Sequence, residues 1–183
     1  MAKIYVFLAD GCEEIEALTP VDLLRRAGEE VCTVSVMGRK EVTGSHKITI
    51  LADETIEEGE FEDGDMLVLP GGMPGTLNLA GNETLAALIR SYDDAGKKLA
   101  AICAAPSILG VMGILRDKNA VCFPGFEEKL AGAKVLDVPA VTDGNVTTGR
   151  GMGAAVDFAL ELIRVLQGEE KAKEMAEKIV FQC

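Results

Sequence analysis

Cys103 is the side chain in this sequence that is best placed for nucleophilic chemistry. It stands between an apolar run at residues 99–102 and a segment of small residues at 104–109 that has the pattern of a helix. If the run is a strand and the segment a helix, the sulfur lies beside unpaired N–H groups at the positive end of a helix dipole. That position favours the thiolate over the thiol. The alternative interpretation is a cysteine that fills a small space in the core.

Three carboxylates, those of Glu13, Glu14 and Glu16, stand at the start of the first predicted helix. Acidic residues at such a position commonly do no more than cap the helix, because its dipole favours negative charge there. If Glu16 instead points inward beside Cys103, burial and the neighbouring thiolate both raise its pKa. Glu16 would then hold a proton that it can share with the sulfur, and would act as a proton shuttle.

A glycine-rich loop at residues 70–75 follows another predicted strand. Its glycines allow the backbone to turn sharply and to present N–H groups to a developing oxyanion. The alternative is a tight turn between a strand and a helix. The loop has neither the spacing of a dinucleotide fingerprint nor that of a phosphate-binding loop, so the sequence gives no support for a nucleotide site.

His46 is the only histidine in the chain, and it is far from Cys103 in the sequence. A cysteine nucleophile commonly relies on a nearby histidine base, but Ala104 follows the cysteine here. The sequence therefore disfavours a Cys–His protease mechanism and leaves His46 as a polar contact near a site or an interface. Arg150 has two interpretations, an anion contact or an ordinary surface ion pair. Arg26, near the end of the first predicted helical region, is typical of a cation that compensates the helix dipole.

Short β-branched runs alternate with helical patterns along the chain, which predicts an α/β fold with a mostly parallel sheet. In such a sheet the ligand site lies at the carboxyl ends of the strands, near a reversal of strand order, where the three loops described above meet. Residues 38–51 interrupt the alternation and predict a hairpin, and Pro20 predicts a break in the first helix. The predicted strands are 4–8, 31–37, 66–69, 99–102, 120–122 and 146–148, and the predicted helices are 13–27, 83–95, 104–112, 154–166 and 169–179.

The composition predicts one domain over residues 1–183, with 48% hydrophobic residues to form its core. A net charge of −12 repels nucleic acid and anionic membrane surfaces, so we expect neither as a partner.

The first apolar stretch is too short for a signal sequence or a membrane span, which predicts a cytoplasmic protein. The five cysteines form no Cys-x-x-Cys pair, and the sequence supports neither a disulfide framework nor a zinc site; they lie at positions 12, 32, 103, 122 and 183.

Four ordered segments resemble the ThiJ/PfpI superfamily, in the branch that contains the parkinsonism-associated deglycase and its bacterial relatives. They read ADGCEEIEA at 9–17, PVDLLRRAG at 20–28, LPGGMPG at 69–75 and AICAAP at 101–106. The resemblance covers nearly the whole chain. It implies a flavodoxin-like α/β fold, a three-layer sandwich of the class I glutamine amidotransferase type, and it implies a homodimer.

The resemblance also implies site residues. Cys103 matches the reactive cysteine of the family, on an elbow between a strand and a helix, and Glu16 matches the glutamate that hydrogen-bonds its sulfur. The amides of Gly72 and Ala104 match the groups that bind an oxyanion. Arg26 and His46 match, less closely, polar residues near the pocket mouth and the dimer interface.

Two departures from the family pattern separate this chain from other branches. Phe123 stands where many members have a histidine, so base assistance from that position is absent. Ala104 stands where the protease-like members have a histidine directly after the cysteine. A Cys–Glu pair remains as the chemical core of the predicted site.

The resemblance implies a glyoxalase III-like or deglycase-like activity without metal, nucleotide or glutathione. Its substrate would be a small aldehyde such as methylglyoxal, or an adduct of it with an amine or a thiol. A second hypothesis from another class is an oxidative-stress sensor or redox-regulated chaperone, in which Cys103 becomes a sulfinate that Glu16 stabilises. A third is a small-molecule binding module that kept the fold without the chemistry.

Overall fold

The computed structural model describes residues 1–182; Cys183 lies outside the described residues. The chain forms a three-layer α/β sandwich, in which helices cover both faces of a central sheet. Its elements, in chain order, are β1 (Lys3–Leu8), α1 (Glu14–Arg26), β2 (Glu30–Ser35), β3 (Glu41–Thr43), β4 (Thr49–Leu51), β5 (Glu54–Thr55), β6 (Met66–Leu69), α2 (Gly75–Ala80), α3 (Glu83–Asp94), β7 (Lys98–Ile102), α4 (Pro106–Val111), β8 (Asn119–Ala120), β9 (Lys134–Val135), β10 (Ala140–Asp143), β11 (Val146–Gly149), α5 (Ala155–Gln167) and α6 (Glu169–Lys178), with short 3₁₀ helices at Glu127–Lys129 and Met152–Ala154.

The central sheet has seven strands in the order β10-β11-β7-β6-β1-β2-β5. All neighbours pair in parallel except β10, which pairs antiparallel to β11 at one edge. The order runs outward from β1 in one direction through β2 and in the other through β6 and β7. The reversal of strand order therefore lies between β1 and β6, which is where a parallel α/β sheet forms its ligand crevice.

The core consists of two apolar layers, one on each face of the sheet, and β1 contributes to both. Alternate residues of β1 point to opposite faces: Tyr5 and Phe7 pack in one layer, and Val6 and Leu8 in the other. Helices α2, α3 and α4 cover the first layer, and α1, α5 and α6 cover the second. This double burial explains the nearly continuous apolar runs of the central strands. Within residues 1–182, no helix has the length and the apolar composition needed to cross a bilayer.

Most of the predicted elements are present, and the α/β flavodoxin-like architecture is confirmed. The predicted hairpin at 38–51 exists as the two-stranded sheet of β3 and β4. The predicted strand at 120–122 is wrong in part, because β8 covers Asn119–Ala120 and pairs only with β9, outside the central sheet. The short elements α2, β5, β9 and β10 were not predicted, since each is too short to produce a clear hydrophobic period.

The predicted helix break at Pro20 is also wrong. Helix α1 runs unbroken from Glu14 to Arg26 with Pro20 inside it. Proline removes one hydrogen bond of the helix and usually disrupts its interior. Here Pro20 is buried together with Ala17, Val21 and Leu24, and the packing of this face against the sheet offsets the lost bond.

Backbone contacts hold the loop after β1 against the loop after β6. The Glu13 amide donates to the carbonyl of Gly71 at 2.9 Å. Gly72 lies so close to the first loop that a Cβ built on it would be 2.2 Å from the nitrogen of Glu13 and 2.6 Å from the carbonyl carbon of Cys12. Only glycine fits at this contact, because the obstructing atoms are backbone atoms that cannot rotate away.

We expect Gly72→Ala to lower the free energy of unfolding far more than Gly28→Ala. Both glycines have a positive φ, +89° and +86°, but nothing lies within 4 Å of the Cβ position at Gly28. Gly28→Ala therefore reports the backbone strain alone, about 1–2 kcal/mol, whereas Gly72→Ala adds the overpacking of the two loops, about 1–3 kcal/mol more. Urea unfolding of both variants checks this expectation. An equal decrease in the free energy of unfolding of the two variants would mean that the loops after β1 and β6 move apart at little cost in free energy.

Candidate active site

The candidate site lies where the loops after β1, β6 and β7 meet at the carboxyl edge of the sheet. Gly71 is at its centre. A Cβ on Gly71 would lie 2.6 Å from the Cβ of Cys103 and 2.6 Å from Oε2 of Glu16. The structure therefore brings together the cysteine and the glutamate that the sequence singled out, and it does so around a residue with no side chain.

Cys103 occupies a strained turn rather than the first turn of a helix. Its φ is +67°, a region that residues other than glycine rarely adopt. Two backbone hydrogen bonds hold Cys103 in this conformation. Its own N–H donates to the carbonyl of Gly149 at 2.9 Å, and the N–H of Phe123 donates to the carbonyl of Cys103 at 2.8 Å. Helix α4 begins only at Pro106. The sulfur is thus displayed at an elbow between β7 and α4, as the resemblance implied.

Glu16 enters the site from the first turn of α1. The Glu13 side chain caps this helix by accepting the N–H of Glu16 at 2.8 Å, so the start of the helix is fixed. The side chain of Glu16 is buried, and the residue is 1% exposed. Its Oε2 accepts the N–H of Gly71 at 3.1 Å, while Oε1 has no hydrogen-bond partner of standard geometry.

Burial has the largest effect on the pKa of Glu16. Removal from water raises its pKa to about 7, and the negative charge of Glu13 adds to this rise. Hydrogen bonding with Cys103 and with the amides of Gly71 and Met152 opposes it. A raised pKa for Glu16 agrees with the prediction made from the sequence, and it allows this carboxyl group to gain and lose a proton near neutral pH.

The expectation that the helix dipole favours a thiolate at Cys103 is wrong for the resting protein. Burial, followed by the charge of Glu16 and the hydrogen bond to it, raises the pKa of Cys103 to about 12. The amides of Gly72 and Ala104 do point at the sulfur and lower its pKa, but their effect is smaller. Near neutral pH the pair therefore holds a thiol beside a carboxyl group that is partly ionised.

His46 and Arg26 lie apart from this pair. His46 contacts the beginning of α1, with its Nδ1 3.0 Å from Oε2 of Glu14 and its N–H donating to Oε1 of Glu14 at 2.8 Å. Arg26 is the last residue of α1 and forms an exposed ion pair with Asp22 at 2.6 Å. Ten residues of helix separate it from Glu16, roughly 15 Å at 1.5 Å per residue. Arg26 therefore does not line the pocket around Cys103 within one protomer.

Among residues 1–182, one cluster of side chains has the geometry to hold a metal ion. Glu13, Glu14 and His46 each offer a ligand atom, and these atoms lie within 4.8 Å of one another. Glu14 is already engaged by the N–H groups of His46 and Ile48. Its contacts fix the β3–β4 hairpin against α1, which is a sufficient structural role for the cluster. The four cysteines at positions 12, 32, 103 and 122 have free thiols.

The sequence did not identify the backbone groups that complete the site. Gly71 supplies both the space between the pair and the N–H that binds Glu16, and the carbonyl of Gly149 anchors Cys103. Met152 contributes an amide to Glu16. The glycines at 71, 149 and 151 were the available signal, because glycine at the end of a strand often marks close approach of backbone.

The comparisons with known proteins agree over most of the chain. A model of the DJ-1/PfpI family matches residues 2–165. Protein dj-1beta of Drosophila melanogaster is 36% identical over 177 residues, which cover 96% of this chain and 95% of that protein. A deglycase of Thermococcus kodakarensis is 32% identical over 168 residues, which cover 90% of this chain and 99% of that protein.

The fold is also that of a solved relative. The structure of Toxoplasma gondii DJ-1, described as oxidized, has a TM-score of 0.96 and 34% sequence identity, with both chains covered completely. Protein DJ-1 homolog B of Arabidopsis thaliana is 35% identical over 182 residues, which are 98% of this chain but 42% of that protein. The chain thus spans less than half the length of this plant relative and nearly the whole length of the fly relative.

We expect Glu16→Gln to increase the reactivity of the Cys103 thiol. Removing the carboxylate charge lowers the pKa of Cys103, and one unit of pKa changes the thiolate fraction about tenfold well below the pKa. Alkylation by iodoacetamide at pH 8, resolved by residue with mass spectrometry, measures this rate, and Cys32 is the internal control. A slower reaction at Cys103 would instead show that Glu16 stabilises a thiolate by donating a proton.

We expect Cys103→Gly to be more stable than Cys103→Ala by about 1 kcal/mol, because only the alanine keeps the strain of a left-handed backbone. At ordinary positions the order is reversed, since glycine loses more chain entropy on folding. Both variants lack the sulfur, so the difference isolates the backbone. Urea unfolding of both variants checks this prediction. If Cys103→Ala is the more stable of the two, the backbone at position 103 is not strained.

Proposed function

Because the chain belongs to the DJ-1/PfpI family, we propose that it converts α-oxoaldehydes such as methylglyoxal, or their adducts with amines and thiols, to hydroxy acids without a cofactor. Cys103 is the nucleophile and Glu16 the proton shuttle. This is a glyoxalase III-like or deglycase-like activity. The similarity to a protein named as a deglycase supports the class of reaction.

One observation supports this proposal above the others, the state of the buried carboxylate oxygen Oε1 of Glu16 beside the thiol of Cys103. Oε1 of Glu16 accepts no hydrogen bond of standard geometry. A buried polar atom left unpaired costs about 1–3 kcal/mol, so proteins retain such an atom mainly where it has chemistry to perform. A proton that arrives from the thiol or from the substrate would satisfy it.

The first step forms a carbon–sulfur bond. The sulfur of Cys103 attacks the aldehyde carbon, and the thiol proton passes to the carboxylate of Glu16. The aldehyde oxygen becomes an oxyanion beside the amides of Gly72 and Ala104, the groups that already lower the pKa of Cys103. Return of the proton from Glu16 to this oxygen yields a hemithioacetal and restores the carboxylate.

The second step moves a proton between neighbouring carbons. The Glu16 carboxylate takes the proton from the carbon bonded to sulfur and delivers it to the adjacent carbonyl carbon, while the proton of the hemithioacetal hydroxyl moves to the oxygen of that carbonyl. The product is a thioester of a hydroxy acid. Water cleaves the thioester and releases the acid and the thiol. The sum is the addition of one water to the oxoaldehyde, without net oxidation, so the proposed reaction needs no redox cofactor.

The second candidate function is a redox sensor or redox-regulated chaperone. Its support is the similar structure of the Toxoplasma protein, which is described as oxidized. In this reading two molecules of hydrogen peroxide convert the thiol of Cys103 to a sulfinic acid and are reduced to water. The raised pKa of Cys103 slows this oxidation, because the thiolate is the species that reacts. The same pKa also slows nucleophilic attack and does not separate the two functions, so the sensor ranks second because a relative named as a deglycase supports the enzymatic reaction.

We also propose that the protein is a cytoplasmic homodimer. Free thiols at the four described cysteines suit a reducing compartment. An exposed apolar groove of about 720 Å³ runs along α1 and includes Ile15, Leu18 and Ile48. Exposed apolar surface of this kind is typical of an interface. Arg26 borders this groove, as expected for a residue near a dimer interface.

The decisive experiment follows lactate by proton NMR after methylglyoxal is added in a buffer without amines. We expect turnover by the wild type and none by Cys103→Ser, with Cys32→Ser as a control that keeps full activity. Glu16→Gln is expected to lose about 10²–10⁴-fold in rate, the usual contribution of general acid–base catalysis. Because the mechanism needs an ionised Glu16 with a pKa of about 7, kcat/KM should rise with pH and level off above neutrality.

Absence of lactate from the wild type at every pH would refute the enzymatic proposal. If such a protein still gained two oxygen atoms at Cys103 under peroxide, the sensor would be the better explanation. Lactate from Cys103→Ser at the rate of the wild type would place the chemistry on another group.

A further inference from the structure

A second groove, with a volume of about 510 Å³, is lined in part by Phe123 and Met152, whose backbones adjoin Cys103 and Glu16. We call it the Phe123 groove. Its volume falls within the range of ligand pockets, roughly 300–1,000 Å³. Methylglyoxal carries a single methyl group beyond its reacting carbons, so the groove is far larger than this substrate requires.

The residues that line the Phe123 groove include neighbours of both Cys103 and Glu16. Phe123 donates its N–H to the carbonyl of Cys103 at 2.8 Å, and hydrogen-bonded backbones of this kind lie about 5 Å apart. Met152, on the opposite wall, presents its amide to Glu16. Gly151 joins the two walls, since a Cβ on it would lie 3.2 Å from the ring of Phe123. A substrate bonded to Cys103 therefore has the groove as its neighbour.

The lining of the Phe123 groove favours an apolar occupant. Phe123, Val138 and Met152 leave between 37% and 49% of their surface exposed in it. Arg150, the one cation of the lining, is paired with Asp137. Asp157 adds a negative charge to the lining, which disfavours an anionic tail. An uncharged hydrocarbon group would cover these apolar side chains and displace water from them.

We propose that the Phe123 groove is a substrate subsite that binds the hydrocarbon tail of an α-oxoaldehyde, so that the chain prefers substrates with longer alkyl groups over methylglyoxal. This inference rests on the proposed function and names its substrate class. Phe123 and Val138 are the specificity-determining side chains. Phe123 stands where many members of the family have a histidine, and in this proposal its ring forms an apolar wall of the groove.

The first test compares kcat/KM for 2-oxohexanal and for methylglyoxal. Water addition gives 2-hydroxyhexanoate and lactate, respectively, and NMR detects both acids. We expect the longer substrate to be preferred at least about tenfold, because one methylene in an apolar pocket is worth about 10-fold or more in specificity. Both substrates present the same reacting carbons, so the ratio reports the tail alone.

Two valines provide a matched pair of variants. Val138 and Val135 are 37% and 38% exposed, but only Val138 lines the Phe123 groove. Val138→Asp should lower the preference for 2-oxohexanal at least about tenfold, because it introduces a charge where the tail binds. Val135→Asp should leave the ratio unchanged. Phe123→Ala should lower the ratio in the same direction as Val138→Asp.

A binding measurement separates the subsite from catalysis. Cys103→Ser protein with ¹³C-labelled methionine methyl groups is titrated with 2-hydroxyhexanoate and with lactate, and Met152→Leu assigns the signal of Met152. We expect the Met152 signal to shift with 2-hydroxyhexanoate and not with lactate.

The outcomes distinguish the subsite from the proposed activity. Turnover of both aldehydes with equal kcat/KM, together with an unmoved Met152 signal, would overturn the subsite and leave the activity standing. No turnover of either aldehyde, with a Met152 shift specific to the longer acid, would overturn the activity and support the groove as an apolar binding site. Absence of both effects would overturn both. An equal loss of preference in Val138→Asp and Val135→Asp would also contradict the subsite.

Discussion

The burial of one carboxylate beside one thiol is the constraint on which the site depends. Glu16 is 1% exposed and receives a single backbone N–H of standard geometry, from Gly71. In water this carboxyl group would be fully ionised near neutral pH. Inside the protein its pKa is about 7, and its charge in turn raises the pKa of Cys103. Near neutral pH Glu16 therefore gains and loses a proton while Cys103 beside it stays a thiol.

The rest of the fold serves to hold this pair in contact. Helix α1 supplies Glu16 from its first turn, fixed by the Glu13 cap, and β7 ends at Ile102, directly before Cys103. Gly71 lies against both side chains, and any side chain at this position would occupy their volume. The strained φ of Cys103 persists since Gly149 and Phe123 bind its backbone on both sides. Such local strain is commonly stored at functional sites.

The alternation of strands and helices, the glycine loop and the prominence of Cys103 and Glu16 were all available from the sequence. The family follows from four local motifs, which the comparison with known proteins confirms. The elements that were missed are short, and α1 continues through Pro20 because burial on the sheet outweighs a local helix-breaking preference. Local propensity fails where tertiary packing supplies the larger free energy.

The sequence by itself determined the fold class, the family and the choice of Cys103 and Glu16 as the candidate pair, because periodicity and motif spacing are properties of neighbouring residues. Only the tertiary structure decided the protonation of that pair. The helix dipole suggested a thiolate, whereas burial and the charge of Glu16 favour a thiol at Cys103. Desolvation depends on which atoms surround a group in space, and residues from α1, from the loops after β6 and β7, and from β11 contribute those atoms. The Phe123 groove has the same origin, since its walls meet only when the ends of distant segments lie side by side.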